Sequence, residues 1–149
     1  MKILIENKKV GFSFDITEKF EAGIVLMGQE VKSIKTGKMI IRSSYVIFKN
    51  KEAYLINAKV PPYQPKNTPS DYNLMRPRKL LLRKKEIKYL IGKSQEKNLT
   101  LVPIKVYIKK RKIKIEFGLG RGKKKFNKKE KIKKREEDIK IRRNLKIWG

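Results

Sequence analysis

Apolar and polar residues alternate along several short segments of this chain, which predicts a mainly β protein. In segment 112–119 every second residue is apolar, as on a strand that buries one face. The apolar-rich segment 101–108 precedes it, so the two form a predicted hairpin, and a second predicted hairpin joins 45–48 to 53–56. Further strands are predicted at 12–16 and 20–26.

Two other segments have the spacing of amphipathic helices. In 28–35 the apolar residues share one face, and Gly37 supplies a typical helix end. Segment 83–97 has the same spacing, whereas the proline-rich stretch 61–77 predicts an irregular connection. We therefore expect about six strands with two or three short flanking helices. An OB-like closed β-barrel is the natural architecture, because closure leaves no unpaired strand edge.

The composition changes near Gly118–Gly122, which divides the chain into an OB-like domain (1–120) and a basic C-terminal tail (121–149). The tail holds 14 basic and 4 acidic residues, and its apolar residues are too sparse to build a core. Acid-before-base pairs four residues apart would add only about 0.3–0.5 kcal/mol each to a helix. We expect a tail that is disordered when free and helical against RNA.

The charge of the chain restricts its chemistry and its partners. Lys and Arg number 41 against 14 Asp and Glu, a net charge of +27, which favours a polyanionic partner such as nucleic acid. Histidine and cysteine are both absent. Ser-His and Cys-His hydrolases, His-ligated zinc enzymes and disulfide scaffolds are therefore excluded. We expect no cofactor, no metal and no catalytic residue.

The apolar runs are too short for a membrane-spanning helix or a signal peptide, so a cytoplasmic protein is expected. We expect a monomer when the protein is free. The charged tail has two other interpretations: a solvated charge run, or a polybasic membrane tail anchored by Trp148. The apolar stripe of the tail is too thin to favour the membrane.

Several spaced blocks place lysines, glycines and two glutamates in positions suited to RNA. Carboxylates repel phosphate, but they accept hydrogen bonds from base donors and 2′-hydroxyls. Ordinary surface ion pairs are the alternative role for Glu21 and Glu30. The blocks, in order, are Asn7–Lys9, Phe20–Ile24, Gly28–Lys38, Ser44–Tyr45, Arg78–Ile87, Leu101–Pro103 and Gly122–Lys124.

Together these blocks resemble the small protein B (SmpB) family, the SsrA-binding proteins of bacterial ribosome rescue. The resemblance implies an OB-like barrel that binds the tRNA-like domain of tmRNA (SsrA) and delivers it to stalled ribosomes for trans-translation. Residues matching the family's RNA-binding face include Asn7, Glu21 and Leu81. The full set of candidate tmRNA-binding residues is Asn7, Lys8, Lys9, Glu21, Gly23, Glu30, Lys32, Lys38, Lys79 and Leu81.

The residue pattern itself also predicts that Leu81 is available for contact, because in an extended run it points away from Leu80 and Leu82. The resemblance implies further that the tail enters the empty mRNA channel along small-subunit RNA. Cationic side chains with an aromatic ring suit phosphate contact and base stacking. The candidate ribosome-binding tail residues are Arg121, Lys123, Lys124, Lys125, Phe126, Asn127, Lys128 and Lys129.

The chain departs from the family pattern in the tail. Phe126 and Asn127 stand where the family usually has His-Asp, which keeps stacking but removes a carboxylate, and Ser43 stands where Asp is common. A structural ribosomal protein of OB-like fold is the alternative function. An enzyme using Glu21 and Glu30 as acid and base is a weaker alternative, because surrounding positive charge lowers rather than raises carboxyl pKa values.

Overall fold

The computed structural model describes residues 1–123, which fold into one antiparallel sheet covered by helices. The strands are β1 Lys2–Glu6, β2 Phe14–Ile24, β3 Tyr45–Lys49, β4 Glu52–Ile56, β5 Arg78–Leu81, β6 Leu99–Lys109 and β7 Lys112–Gly122. The helices are α1 Val10–Ser13, α2 Gly28–Lys35 and α3 Lys84–Ser94, with a 3₁₀ turn at Pro65–Asn67. The prediction of a mainly β protein is confirmed.

The prediction of a closed barrel is wrong. The seven strands follow the order β1-β6-β7-β2-β5-β4-β3, so β1 and β3 are the two edges of an open sheet in the described part of the chain. The sheet curls until β3 approaches β6. Helices close the core in place of further strand pairing, because Ile34 of α2 and Leu90 of α3 are both fully buried in it.

Both predicted hairpins are present, and the backbone angles of their turns allow tight connections between the strands. Asn50 and Lys51 connect β3 to β4 with φ angles of 52° and 62°, and Lys110 and Arg111 connect β6 to β7 with φ angles of 51° and 66°. Two successive positive φ angles are typical of the turn whose twist matches paired strands. The β6–β7 turn uses two long side chains in a conformation that favours Gly or Asn.

The two strands predicted at 12–16 and 20–26 are one continuous strand, β2, with an irregularity between Ile16 and Glu18. Phe12 lies in α1 instead. A Cβ at Gly118 would lie 2.7 Å from Cγ2 of Ile16, so glycine leaves room for the Ile16 side chain of the neighbouring strand β2 against β7. The N-terminal strand β1 was not predicted, because its few residues have no clear alternation.

Alternation along the strands gives the sheet two faces. Arg78 and Leu80 of β5 are buried and lie on the face that we call the core face. Lys79 and Leu81 lie on the opposite side, which we call the outer face. Helix α2 covers the core face, because its Glu30 pairs with Arg78. No helix within residues 1–123 is long and apolar enough to cross a membrane.

Candidate nucleic-acid interface

Strand register brings several predicted site residues together on the outer face. Gly23 of β2 lies opposite Leu81 of β5 on one side and opposite Lys114 of β7 on the other. Glu21 lies opposite Glu116 of β7. Chain segments far apart in sequence therefore meet at one patch near the middle of the sheet.

The carboxylate of Glu21 is held in place by two neighbours on β6. The hydroxyl of Tyr107 donates a hydrogen bond to it, and Nζ of Lys109 lies 3.4 Å from its Oε2. The Tyr107 hydrogen bond, with smaller contributions from Lys109 and Lys114, lowers the pKa of Glu21 below its ordinary value. At neutral pH the patch therefore presents a fixed, ionised acceptor within a basic surround.

Tyr107 is the part of this arrangement that the sequence did not single out. It is only 1% exposed, although its hydroxyl reaches Glu21 on the outer face. Burial, together with the hydrogen bond to Glu21, raises the pKa of Tyr107, so the phenol remains a proton donor at neutral pH. Nζ of Lys105 lies 5.8 Å from the centre of its ring. Lys105, Lys109 and Lys114 were also missed, because only the strand register places them on the same face of the sheet as Glu21.

Leu81 lies as its alternating pattern predicts. Its side chain is 56% exposed on the outer face, whereas Leu80 is 1% exposed in the core. A Cβ at Gly23 would lie 3.5 Å from Leu81, so Gly23 forms the floor beneath this apolar side chain. Lys79 extends the patch toward β4, where it forms an ion pair of 3.0 Å with Glu52.

Asn7, Lys8 and Lys9 form the turn between β1 and α1. Nδ2 of Asn7 donates to the carbonyl of Pro103 at 3.2 Å, and its backbone N–H donates to Ile104 at 2.8 Å. These bonds fasten the turn to β6. Lys8 and Lys9 are exposed there, so their charges are available to a phosphate backbone.

The structure does not support a direct RNA contact by Glu30. This side chain is 1% exposed, and Arg78 donates to its Oε2 through Nε at 2.9 Å and Nη2 at 2.6 Å. Arg76 and the backbone N–H of Met27 donate to the other oxygen. Glu30 is thus part of a buried ion cluster that joins α2 to β5, and its role is structural.

The ionisation of Glu30 depends on these donors. Burial alone would raise its pKa, but the hydrogen bonds from Arg76, Met27 and Arg78 outweigh burial and hold the pKa of this carboxyl below its ordinary value. Arg78 is itself fully buried and donates further to the carbonyls of Ala58 and Leu74. No set of acidic residues in the described range 1–123 is arranged to hold a metal ion.

Lys32 and Lys38 lie apart from the outer face. Both are exposed at α2 and the turn that follows it, on the side of the molecule where α2 covers the core face. Their Nζ atoms lie 6.0 Å and 5.9 Å from the centre of the Tyr63 ring. The predicted RNA-binding residues that are exposed therefore lie in three places: on the outer face, at the β1–α1 turn and beside α2.

The tail begins at the end of β7. Arg121 is still a strand residue, opposite Asp15 of β2 and Leu99 of β6, so strand pairing continues past residue 120. Lys123 donates its backbone N–H to Ser13 at 3.0 Å and its Nζ to the carbonyl of Gly11. The other predicted tail residues lie outside the described range: Lys124, Lys125, Phe126, Asn127, Lys128 and Lys129.

Comparison with known proteins gives one consistent result. The family described as SmpB protein matches residues 4–147. The chain is 41% identical to the SsrA-binding protein of Thermosynechococcus vestitus over 98% of this chain and 96% of that protein. It is 44% identical to the SsrA-binding protein of Microcystis aeruginosa, over 98% and 95% of the two chains. A solved chain described as tmRNA-SmpB in the bacterial ribosome is 41% identical, with a TM-score of 0.68 over 85% of this chain and 92% of that one.

Proposed function

This chain belongs to the SmpB protein family, and from that premise we propose that it is an RNA-binding adaptor of trans-translation. It binds the tRNA-like domain of tmRNA and delivers it to stalled ribosomes in the cytoplasm. Its role is to position RNA, and it carries out no bond chemistry. Its similarity to SsrA-binding proteins and to a tmRNA-SmpB chain of the bacterial ribosome supports this proposal.

The observation that carries the proposal is the arrangement around Glu21 on the outer face. A fixed carboxylate, an exposed leucine and several lysines share one patch, a combination suited to contacts with a folded RNA. The lysines contact phosphates, while Glu21 accepts hydrogen bonds from 2′-hydroxyls or base donors. Leu81 packs against an unstacked nucleotide. The patch is formed by Glu21, Gly23, Lys79, Leu81, Lys105, Tyr107, Lys109 and Lys114.

The residues of this patch contribute separately to the affinity for RNA and to the selectivity among RNAs. The lysine contacts provide affinity for any RNA and weaken as salt rises, because each contact releases counterions. Glu21 adds selectivity, since a carboxylate that faces phosphate instead of a hydrogen-bond donor is repelled. Tyr107 keeps that carboxylate in one orientation. The patch thus favours an RNA of one shape over RNA in general.

The tail supplies the second half of the proposed function. It leaves the sheet beside α1, where Lys123 is fastened to Ser13. From there residues 124–149 extend into the empty mRNA channel and contact small-subunit RNA. The lysines contact phosphates, and Phe126 stacks on a base in the way that histidine does in the family pattern.

Sequencing the RNA that copurifies with the protein tests the proposal. We expect tmRNA to be enriched over ordinary tRNA, and purified protein to bind the tRNA-like domain more tightly than tRNA at about 0.15 M salt, a condition in which purely electrostatic binding is weakened. Equal affinity for the two RNAs, or pull-downs without tmRNA, would overturn it.

Ending the chain at Gly122 tests the division of labour between sheet and tail. We expect the shortened protein to retain affinity for the tRNA-like domain, because the whole outer patch precedes Gly122. Tagging of proteins on stalled ribosomes should be lost. If both activities fell equally, the two-part division would be wrong.

A further inference from the structure

A cleft of about 280 Å³ lies between α2 and the proline-rich segment that follows β4. It is separate from the outer patch, because α2 lies over the core face of the sheet. Aromatic, amide and cationic side chains surround it, with a glycine at the start of the helix. The lining residues are Gly28, Gln29, Lys32, Tyr63, Gln64 and Asn67.

Tyr63 is the aromatic residue that lines this cleft. Its ring is partly exposed, and the ammonium groups of Lys32 and Lys38 lie 6.0 Å and 5.9 Å from its centre. An aromatic ring beside cationic side chains is an arrangement by which proteins hold a single-stranded nucleotide, because the ring stacks on a base and the cations contact phosphates. Cation–π attraction also holds the lysines near the ring.

The walls of the cleft are held in place by hydrogen bonds between α2 and the proline-rich segment and within that segment. The hydroxyl of Ser33 on α2 donates to the carbonyl of Pro61 at 2.6 Å. The hydroxyl of Thr68 donates to the carbonyl of Gln64 at 2.6 Å and lies 3.2 Å from the side-chain amide of Gln29. A cleft with fixed walls binds without a large ordering cost.

The electrostatics of the cleft also favour an anionic occupant. Glu30 is the acidic residue of α2, and it points inward to Arg78 and Arg76. The helix therefore turns its carboxylate away from the cleft and leaves Lys32 exposed. The remaining polar groups, Gln29, Gln64 and Asn67, have amides that both donate and accept, as the edge of a base requires.

We infer that this cleft binds one unpaired RNA nucleotide. The base stacks on Tyr63, the flanking phosphates lie between Lys32 and Lys38, and the amides contact the edge of the base. The inference rests on the proposed function and adds a second contact point to it, on the surface opposite Glu21. The nucleotide belongs either to tmRNA or to small-subunit ribosomal RNA, and both sources offer the same chemistry.

Ultraviolet crosslinking with the full chain identifies the source. Purified protein is irradiated with the tRNA-like domain of tmRNA in one reaction and with small ribosomal subunits in a second, and crosslinked peptides are identified by mass spectrometry. We expect the peptide that contains Tyr63 to carry a nucleotide in at least one reaction. Its absence from both, with crosslinks found elsewhere on the chain, would overturn the inference.

Affinity measurements with matched variants test the stacking itself. Y63L keeps apolar bulk but removes the aromatic face, and Y63F keeps the face but removes the hydroxyl. We expect Y63L to weaken binding to the crosslinked RNA about tenfold, while Y63F stays close to wild type. Equal affinities of Y63L and wild type would contradict the inference. Thermal unfolding checks that both variants remain folded, and K32Q repeats the test without altering the ring.

The controls separate failure of this inference from failure of the proposed function. If wild-type protein fails to bind tmRNA selectively, the proposed function fails whatever Tyr63 does. A different result overturns only the inference about the cleft. In that result wild-type protein binds selectively and Leu81→Ala weakens binding, but Y63L has no effect with either RNA.

Discussion

Two glutamates that look alike in the sequence have opposite roles in the structure. Glu21 and Glu30 both occur in lysine-containing blocks, and both pKa values are lowered. Glu21 is exposed on the outer face and held by the Tyr107 hydroxyl. Glu30 is buried on the core face and neutralised by Arg78 and Arg76.

The difference shows what burial does to a charged side chain. An exposed carboxylate with one firm hydrogen bond still has capacity for a ligand. A buried carboxylate must have its hydrogen-bonding capacity met inside the protein, because an unpaired buried charge is very costly. Mutations at the two sites should therefore separate RNA binding from stability.

Removing the charge of Glu30 is expected to have the largest effect on stability. E30Q leaves Arg78 buried without its counter-ion, which should lower the free energy of unfolding by about 3–5 kcal/mol in urea titrations. E52Q is the matched control, because Glu52 makes an exposed ion pair with Lys79, whose loss should leave the stability almost unchanged. Equal losses in the two variants would contradict the structural role of Glu30.

The same ion cluster predicts acid sensitivity. The pKa of Glu30 is lower in the folded protein than its ordinary value, so its contribution to stability is present above about pH 4.5. That contribution is lost as the pH falls through the lowered folded pKa. Urea midpoints measured from neutral to acidic pH should fall more for wild type than for E30Q, which has no carboxylate to protonate. Parallel curves would contradict this linkage.

Leu81→Ala should affect RNA rather than folding. The side chain is 56% exposed in the free protein, so its loss costs little stability, but its burial against RNA should be worth about 1–2 kcal/mol. The dissociation constant for the tRNA-like domain should rise about five- to thirtyfold. Leu80→Ala is the control from the other face, where an unfolding loss of about 2–5 kcal/mol is expected. Unchanged RNA affinity of the Leu81 variant would remove this residue from the interface.

A substitution in the β6–β7 turn is expected to have the smallest effect, which is a gain in stability. Replacing Lys110 and Arg111 by Asn-Gly relieves two side chains with φ angles of 51° and 66°. We expect about 1 kcal/mol of added stability with unchanged RNA affinity, measured by calorimetry and binding. A loss of affinity would show that the turn belongs to the RNA interface.

Local pattern was sufficient for the hairpins, for α2 and for the outward direction of Leu81. Each depends on neighbouring residues, and periodicity records such neighbours directly. The open edges of the sheet and strand β1 were not predictable in this way, because both depend on pairing between distant segments. Lys2 of β1, for example, pairs with Ile108 of β6.

The candidate site shows the same limit. Tyr107 was missed because its partner Glu21 lies 86 residues away in sequence, and Glu30 was misjudged because Arg78 lies 48 residues away. A carboxylate in a basic block has the same sequence signature whether it faces solvent or a buried guanidinium. Strand register, which is set by long-range pairing, decides between the two.

The affinity of E21Q for the tRNA-like domain of tmRNA tests most directly whether the outer face binds RNA. Glutamine keeps the size of the side chain and an acceptor for Tyr107, but it removes the negative charge. A merely electrostatic surface would bind RNA more tightly after this change, because one repulsive charge is gone. A carboxylate that accepts hydrogen bonds from the RNA predicts about tenfold weaker binding by a variant that is still folded. Equal or tighter binding by the folded variant would contradict the claim that the outer face binds RNA through Glu21.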